Sequence, residues 1–356
     1  MTAPLPIIAT GAARRHFSTL RRVPATAGTA LPRLLRNLAL GVLILSCGPG
    51  LRSAAGAAAA LPSPPGGLGA IPPISARTSL LVVSPHPDDE TLCCAGVIRR
   101  VLEAGGRVSI LWLTSGDGSE LDLIFVEKSL RLSPRRMRDL ARRRMGEARA
   151  AASALGVPRS GQYFLGYPDG GLLTLVTDHF VTPYASKFTG ATAVPYSAAL
   201  FPGHPYTGAS LERDFRAVLK RVRPTLVLAP SPLDAHPDHR AAGILTLQVM
   251  SRRGELARVR YWIVHGGLDW PRPRGLSMAL PLTPPPRGRG LDLLPFRLDA
   301  AEEARQLEAV RAYHTQLTVM SGFLLSFVRR TELFATRPVP TPRALAAPRA
   351  SRHGSH

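Results

Sequence analysis

The sequence predicts an α/β protein: a doubly wound, mostly parallel β-sheet with helices on both faces. Three observations carry that prediction. Five short β-rich runs punctuate residues 79–264, several of them apolar throughout, as strands covered on both faces are. Stretches of helical length alternate with them, and β-α-β-α order argues for parallel strands joined by crossovers. Polar clusters follow the strands, at the carboxyl ends where open α/β sheets place their chemistry.

The first run is Ser79–Ser84 (SLLVVS), followed by a helix expected over 91–103. The second is Arg107–Thr114 (RVSILWLT), followed by a helix over 134–155. Ser133-Pro134 is a strong helix start and Gly156 a strong stop. The third run is 162–165 (QYFL). The fourth, 225–229 (TLVLA), lies between helices expected over 211–222 and 240–251, and the fifth is 259–264 (VRYWIV). After strand one comes Pro85-His86-Pro87-Asp88-Asp89-Glu90, and after strand two Ser115-Gly116-Asp117-Gly118. Tyr167-Pro168-Asp169-Gly170 follows strand three, and strand four leads into Asp234-Ala235-His236-Pro237-Asp238-His239. Convergence of these clusters on one sheet edge is the main structural expectation.

The chain has 356 residues, 45% hydrophobic and 19% charged, which allows a sizeable core and excludes wholesale disorder. Its net charge of +21 suggests nucleic acid, but the distribution does not. Residues 1–60 hold seven Arg and no acid, and residues 336–356 four Arg and no acid. Much of the remainder is eight Arg between 131 and 149. Lysines number three, and no recognition motif or interleaved aromatic accompanies the charge, so no specific nucleic-acid partner is expected. Three cysteines, two of them adjacent, make neither a disulfide framework nor a CxxC zinc site. Cys93 and Cys94 read as buried core thiols.

Residues 1–60 read as a signal or targeting segment. The run 38–45 (LALGVLIL) has the length of a signal-peptide core and is too short to span a bilayer. Arg14-Arg15-His16-Phe17 resembles a twin-arginine signal, and Ile44-Leu45-Ser46-Cys47 a lipobox that would put a lipid on Cys47, the only membrane link expected. Export to the periplasm, envelope or medium is the expectation, with a cytoplasmic protein the alternative. Residues 61–75 read as a Pro/Gly linker, 76–335 as the folded domain and 336–356 as a disordered basic tail. Oligomeric state is not legible.

His86-Pro87-Asp88-Asp89 and His236-Pro237-Asp238-His239 are each compact sets of metal-ligand side chains. Two His and one carboxylate with an open position suit a catalytic zinc or similar ion. Left-over carboxylates can serve as base or orient the ligands. There is no GxSxG elbow, no Walker A motif and no GxGxxG opening the first helix, which argues against an α/β hydrolase and against a phosphate cradle.

These two motifs resemble those of the LmbE-like, or PIG-L-like, metal-dependent N-deacetylases. Gly116-Asp117-Gly118, Arg144-x-x-Glu147, Tyr167-Pro168-Asp169-Gly170 and Ala312-Tyr313-His314-Thr315-Gln316, read as the end of a C-terminal helix, are also similar, so the likeness runs over about 79–320. The resemblance implies a Rossmann-like sheet and a zinc ion, or another divalent ion such as Fe2+, held by His86, Asp89 and His239. Asp88 would be the general base toward the attacking water. His236 would stabilise the oxyanion and protonate the leaving amine, with Asp238 orienting its ring. Arg144 and Asp169 would contact the sugar. The implied reaction removes an N-acetyl group from an N-acetylglucosamine-type amino sugar or conjugate. The alternative is a catalytically silent metal- or carbohydrate-binding envelope protein, against which the joint presence of Asp88 and His236 argues. His265 and His314 read as structural or rim residues. The loop 171–210, rich in Tyr, Phe, Thr and Gly, is expected to cover the substrate.

Overall fold

The computed structural model describes residues 70–119 and 133–340, which lie within one compact unit, Pro64–His356. Seven strands form one sheet in the order β3-β2-β1-β4-β5-β7-β6. These are β1 (Ser79–Ser84), β2 (Arg107–Thr114), β3 (Gln162–Tyr167), β4 (Leu226–Pro230), β5 (Val259–Trp262), β6 (Leu293–Arg297) and β7 (Thr331–Ala335). The first five run parallel; β7 pairs antiparallel with both β5 and β6. β1 and β4 are buried along their whole lengths, which explains why they read as unbroken apolar runs.

The described helices are α1 (Asp89–Glu103), α2 (Pro134–Ala154), α3 (Leu172–Thr177), α4 (Gly208–Val222), α5 (Pro237–Arg252), α6 (Ala300–Arg311) and α7 (His314–Leu325). α1 and α2 pack against α6, while α3, α4 and α5 pack together. The caps are the ones the sequence announces. The Ser133 hydroxyl accepts the Arg136 N–H at the start of α2, and Pro134 occupies its first turn. Beyond its end, Gly156 takes φ +87.

Strand order reverses between β1 and β4, which are neighbours although one is first and the other fourth in the chain. Such a switch point opens a crevice outside the carboxyl ends of the two strands. The loops carrying His86 and His236 leave β1 and β4 at that point. The core thus places the two histidine motifs side by side.

Several expectations are corrected. The sequence does not announce β6, β7, α3 or α7: β6 is half exposed with a central Pro295, neither strand has a helix linking it to a parallel neighbour, and α3 is a six-residue helix inside the expected loop. The His-x-Gln pattern does not end a helix; His314 begins α7, after the break at Ala312-Tyr313. Part of the expected linker packs on the domain, since Ala70 is buried and its carbonyl accepts the Arg260 side chain. The first tail residues are held as well, Pro338 accepting the Ser231 hydroxyl at 2.8 Å. Cys93 and Cys94 are buried as expected but joined in a vicinal disulfide rather than free. Residues 1–69 and 341–356, with the signal, lipobox and most tail expectations, lie outside the described residues. No described helix is long and apolar enough to cross a membrane.

Candidate metal centre and active site

A cavity of about 280 Å³ opens at the switch point, lined among others by His86, Asp88, Asp89, Arg144, Asp169 and His236. The Asp89 carboxylate is fixed by the His86 backbone N–H, which donates to Oδ2 at 2.9 Å. That oxygen lies 3.3 Å from His86 Nδ1 and 3.1 Å from His239 Nε2. The two nitrogens lie 3.3 Å apart. An edge of about 3.3 Å is what a tetrahedron needs when bonds to the ion are about 2.0–2.1 Å. Three donor atoms therefore already stand where a zinc-sized cation fits.

The other face of each imidazole is held by a carboxylate. His239 Nδ1 pairs with Asp234 Oδ2 at 3.2 Å, and His86 Nε2 with Asp238 Oδ2 at 3.2 Å and Asp169 Oδ1 at 3.4 Å. A proton on each of those outer nitrogens leaves the inner lone pairs facing one another, an arrangement that calls for a cation between them. Burial opposes charge on His86, but Asp169, Asp238 and Asp89 overcome it and hold its pKa well above the ordinary value. Burial likewise opposes charge on His239, yet Asp89 and Asp234 raise it to about 9. The pocket is built to hold positive charge.

Asp88 stands beside this triad as the N-cap of α1, with φ 132, a conformation L-residues rarely adopt. Such strain persists where the surroundings over-determine it, characteristically at functional sites. Glu90, two residues on, supplies part of that frame, accepting the Asp88 N–H at 3.3 Å. Its buried carboxylate accepts Trp112 Nε1–H at 2.8 Å, the Thr91 hydroxyl at 2.8 Å and the Tyr313 hydroxyl. The Asp88 carboxylate receives Gln316 Nε2–H at 3.3 Å and has Arg144 at 4.0 Å. Burial first, and then Asp89, raise its pKa well above the usual carboxylate value.

Residues 81–250 match the family profile described as PIG-L, GlcNAc-PI de-N-acetylase. The chain carries a PIG-L (LmbE-like) family domain. Among relatives, the 1D-myo-inositol 2-acetamido-2-deoxy-alpha-D-glucopyranoside deacetylase of Mycobacteroides abscessus is 28% identical over 257 residues, covering 67% of this chain and 82% of that one. The diacetylchitobiose deacetylase of Thermococcus kodakarensis is 27% identical over 185 residues, 51% of this chain and about half (52%) of that enzyme. Among solved structures, the N,N'-diacetylchitobiose deacetylase from Pyrococcus horikoshii aligns with a TM-score of 0.44 at 19% identity, covering 72% of this chain and 82% of that one.

Within this PIG-L domain the structure brings His86, Asp88, Asp89, Arg144, Asp169, His236, Asp238 and His239 to one sheet edge. Arg144 is buried; its guanidinium donates to the Gly116 carbonyl at 3.1 Å and the Pro87 carbonyl at 3.3 Å, between Asp88 and Asp169. Gly116 has φ +72, and a Cβ there would meet that guanidinium at 2.6 Å, so glycine is required on both counts. The expected Asp238–His236 pairing is not found. The Asp238 carboxylate instead accepts the Gly170 and Leu172 N–H groups at 2.7 and 2.9 Å and pairs with His86, because these donors surround it at the start of α3. What His236 receives is the Asp238 backbone N–H, on Nδ1 at 3.2 Å.

The loop 171–210 does not line the cavity. Tyr196 and Tyr206 are spent on packing: the Tyr196 hydroxyl donates to Asp117 at 2.7 Å and the Tyr206 hydroxyl to the Gly166 carbonyl at 3.0 Å, while His204 pairs with Asp214 at 2.9 Å. Met320 and Phe323 of α7 and His265 after β5 form the wall instead. Asp234, Gln316 and His265 were not assigned site roles from sequence. Asp234 lies in the strand-four cluster two residues before His236, and His265 at a strand's carboxyl end, which are the signals that could have found them.

Proposed function

We propose that this chain is a zinc-dependent deacetylase that hydrolyses the N-acetyl amide of an N-acetylglucosamine-type sugar or conjugate. One observation carries the reading: three donor atoms from His86, Asp89 and His239, 3.1–3.3 Å apart, beside a strained, buried Asp88 in a single cavity. The relatives named above act on acetylated amino sugars, which supports the substrate class. The ion supplies Lewis acidity toward the amide carbonyl and acidifies water at neutral pH.

The chain's own residues do the rest. Asp88, its pKa raised by burial and by Asp89, takes a proton from the attacking water and gives it to the amine nitrogen as the carbon–nitrogen bond breaks. Gln316 and Arg144 fix that carboxylate against rotation. His236, with Nδ1 committed to a backbone N–H, directs Nε2–H into the cavity. Burial and the neighbouring His86 and His239 lower its pKa to about 3, so it acts as a neutral donor to the developing oxyanion. Arg144 and Asp169 line the same cavity and offer a donor and an acceptor to sugar hydroxyls.

The test is amine release from a panel of N-acetylglucosaminyl compounds by zinc-loaded and chelated protein. Zinc-dependent release supports the reading. Stoichiometric zinc without release across the panel removes it in favour of a silent binding protein. Export through residues 1–60 belongs to the same proposal; mass spectrometry of the native protein showing an intact N-terminus would remove that part.

A further inference from the structure

His265 is a cavity histidine for which the mechanism above has no use. It stands just past β5, with its main chain pinned on both sides. Its N–H donates to Asp234 Oδ2 at 3.0 Å, and its carbonyl accepts the Ala235 N–H at 3.0 Å. Asp234 Oδ2 is the oxygen that pairs with His239 Nδ1, so one buried carboxylate positions both residues. The His265 ring lies edge-on to His239 at 4.6 Å between centroids and stacks on Phe323 at 5.7 Å. Side-chain donor atoms of Asp89, His239 and His265 all fall within 4.8 Å of one another. Among the described residues, neither ring nitrogen of His265 has a hydrogen-bond partner.

His236 stands next to His265, ring centroids 5.1 Å apart, its donor atom within 4.8 Å of those of His86 and His239. The two imidazoles differ in what they can offer. His236 accepts an N–H bond on Nδ1, so its neutral ring carries hydrogen on Nε2 and presents a donor. His265 is under no such constraint and can present a lone pair. A neutral imidazole with a free lone pair beside two metal-binding side chains is itself a ligand for zinc, iron, copper or nickel.

We propose that His265 is a further protein ligand of the divalent ion, joining His86, Asp89 and His239 in a set of three imidazoles and one carboxylate that would leave a fifth position for water or substrate. This rests on the metal site of the proposed function and is independent of the substrate. The stack on Phe323 and the pinned backbone hold the ring at the cavity wall, next to the Asp89–His239 edge of the triad.

The experiment uses the full chain and Co2+ as the probe, read by visible absorption and by competition with a chromophoric chelator. His265→Ala is expected to shift the visible bands and to weaken Co2+ binding by more than the roughly 10–100-fold that losing a group supporting a ligand costs. His265→Gln, which keeps bulk against Phe323, should weaken binding similarly, and it supplies the result if the alanine variant does not fold. His236→Ala should leave the bands in place, since it removes a donor and not a ligand. Wild-type affinity and bands in folded His265→Ala or His265→Gln overturn the proposal. A His265-dependent spectrum without amine release supports it while removing the deacetylase reading; a wild-type chain that binds no Co2+ removes both.

Discussion

Replacing Asp234 by Asn separates the metal site from the substrate pocket, because Asp234 is fully buried behind His239 and does not line the cavity. Its Oδ1 accepts the His236 N–H at 2.9 Å, and its Oδ2 accepts the Val264 and His265 N–H groups at 2.9 and 3.0 Å and pairs with His239. An Asn whose amide oxygen takes the Oδ2 place keeps the contacts there but turns N–H toward the His236 N–H. One buried N–H then lacks an acceptor, at a cost of about 1–3 kcal/mol in stability. The negative charge that makes His239 a good ligand is also lost, and removing such a supporting carboxylate weakens metal binding by about 10–100-fold. Zinc affinity by chelator competition, with thermal unfolding of the metal-free protein, reads the two effects apart. Affinity within about threefold of wild type would refute the argument that Asp234 tunes the site, since the expected loss is at least tenfold.

Gln316→Leu removes a hydrogen bond to Asp88 without touching the metal ligands. It should lower kcat by about tenfold or more through a misplaced base, with zinc content unchanged; steady-state kinetics and metal analysis check it. Gly116→Ala should lower kcat/KM and stability together, because the new methyl displaces the Arg144 guanidinium and the residue needs positive φ. Burial, and then Asp169, push Asp117 up to about 7. The native state therefore binds this proton more tightly than the unfolded chain, and its contribution to stability is lost as pH rises from about 4 to 7. Relative to Asp117→Asn, wild type should lose up to about 4 kcal/mol across that window in chemical unfolding; a pH-independent difference would show that Asp117 stays ionised.

The parallel half of the fold was legible because its strands are apolar throughout and its helices carry strong caps, as at Ser133-Pro134. The antiparallel edge was not. β6 alternates around Pro295 with half-exposed residues, and the break between α6 and α7 carries no Gly or Pro. The candidate ligands are legible as clusters because each motif packs its polar side chains within four residues. The supporting contacts are not, since Asp238 reaches His86 across 152 positions and Gln316 reaches Asp88 across 228. The aromatic loop misled because composition does not say which way rings point; Tyr196 and Tyr206 face the core.

Asp88 is proposed as the base beside an ion held by His86, Asp89 and His239. Zinc content and amine release measured together on Asp88→Ala test it most directly. The expected result is about one zinc per chain, as in wild type, with release reduced at least about 100-fold, the scale of positioned general-base catalysis. Near-wild-type release from that zinc-loaded variant would contradict it.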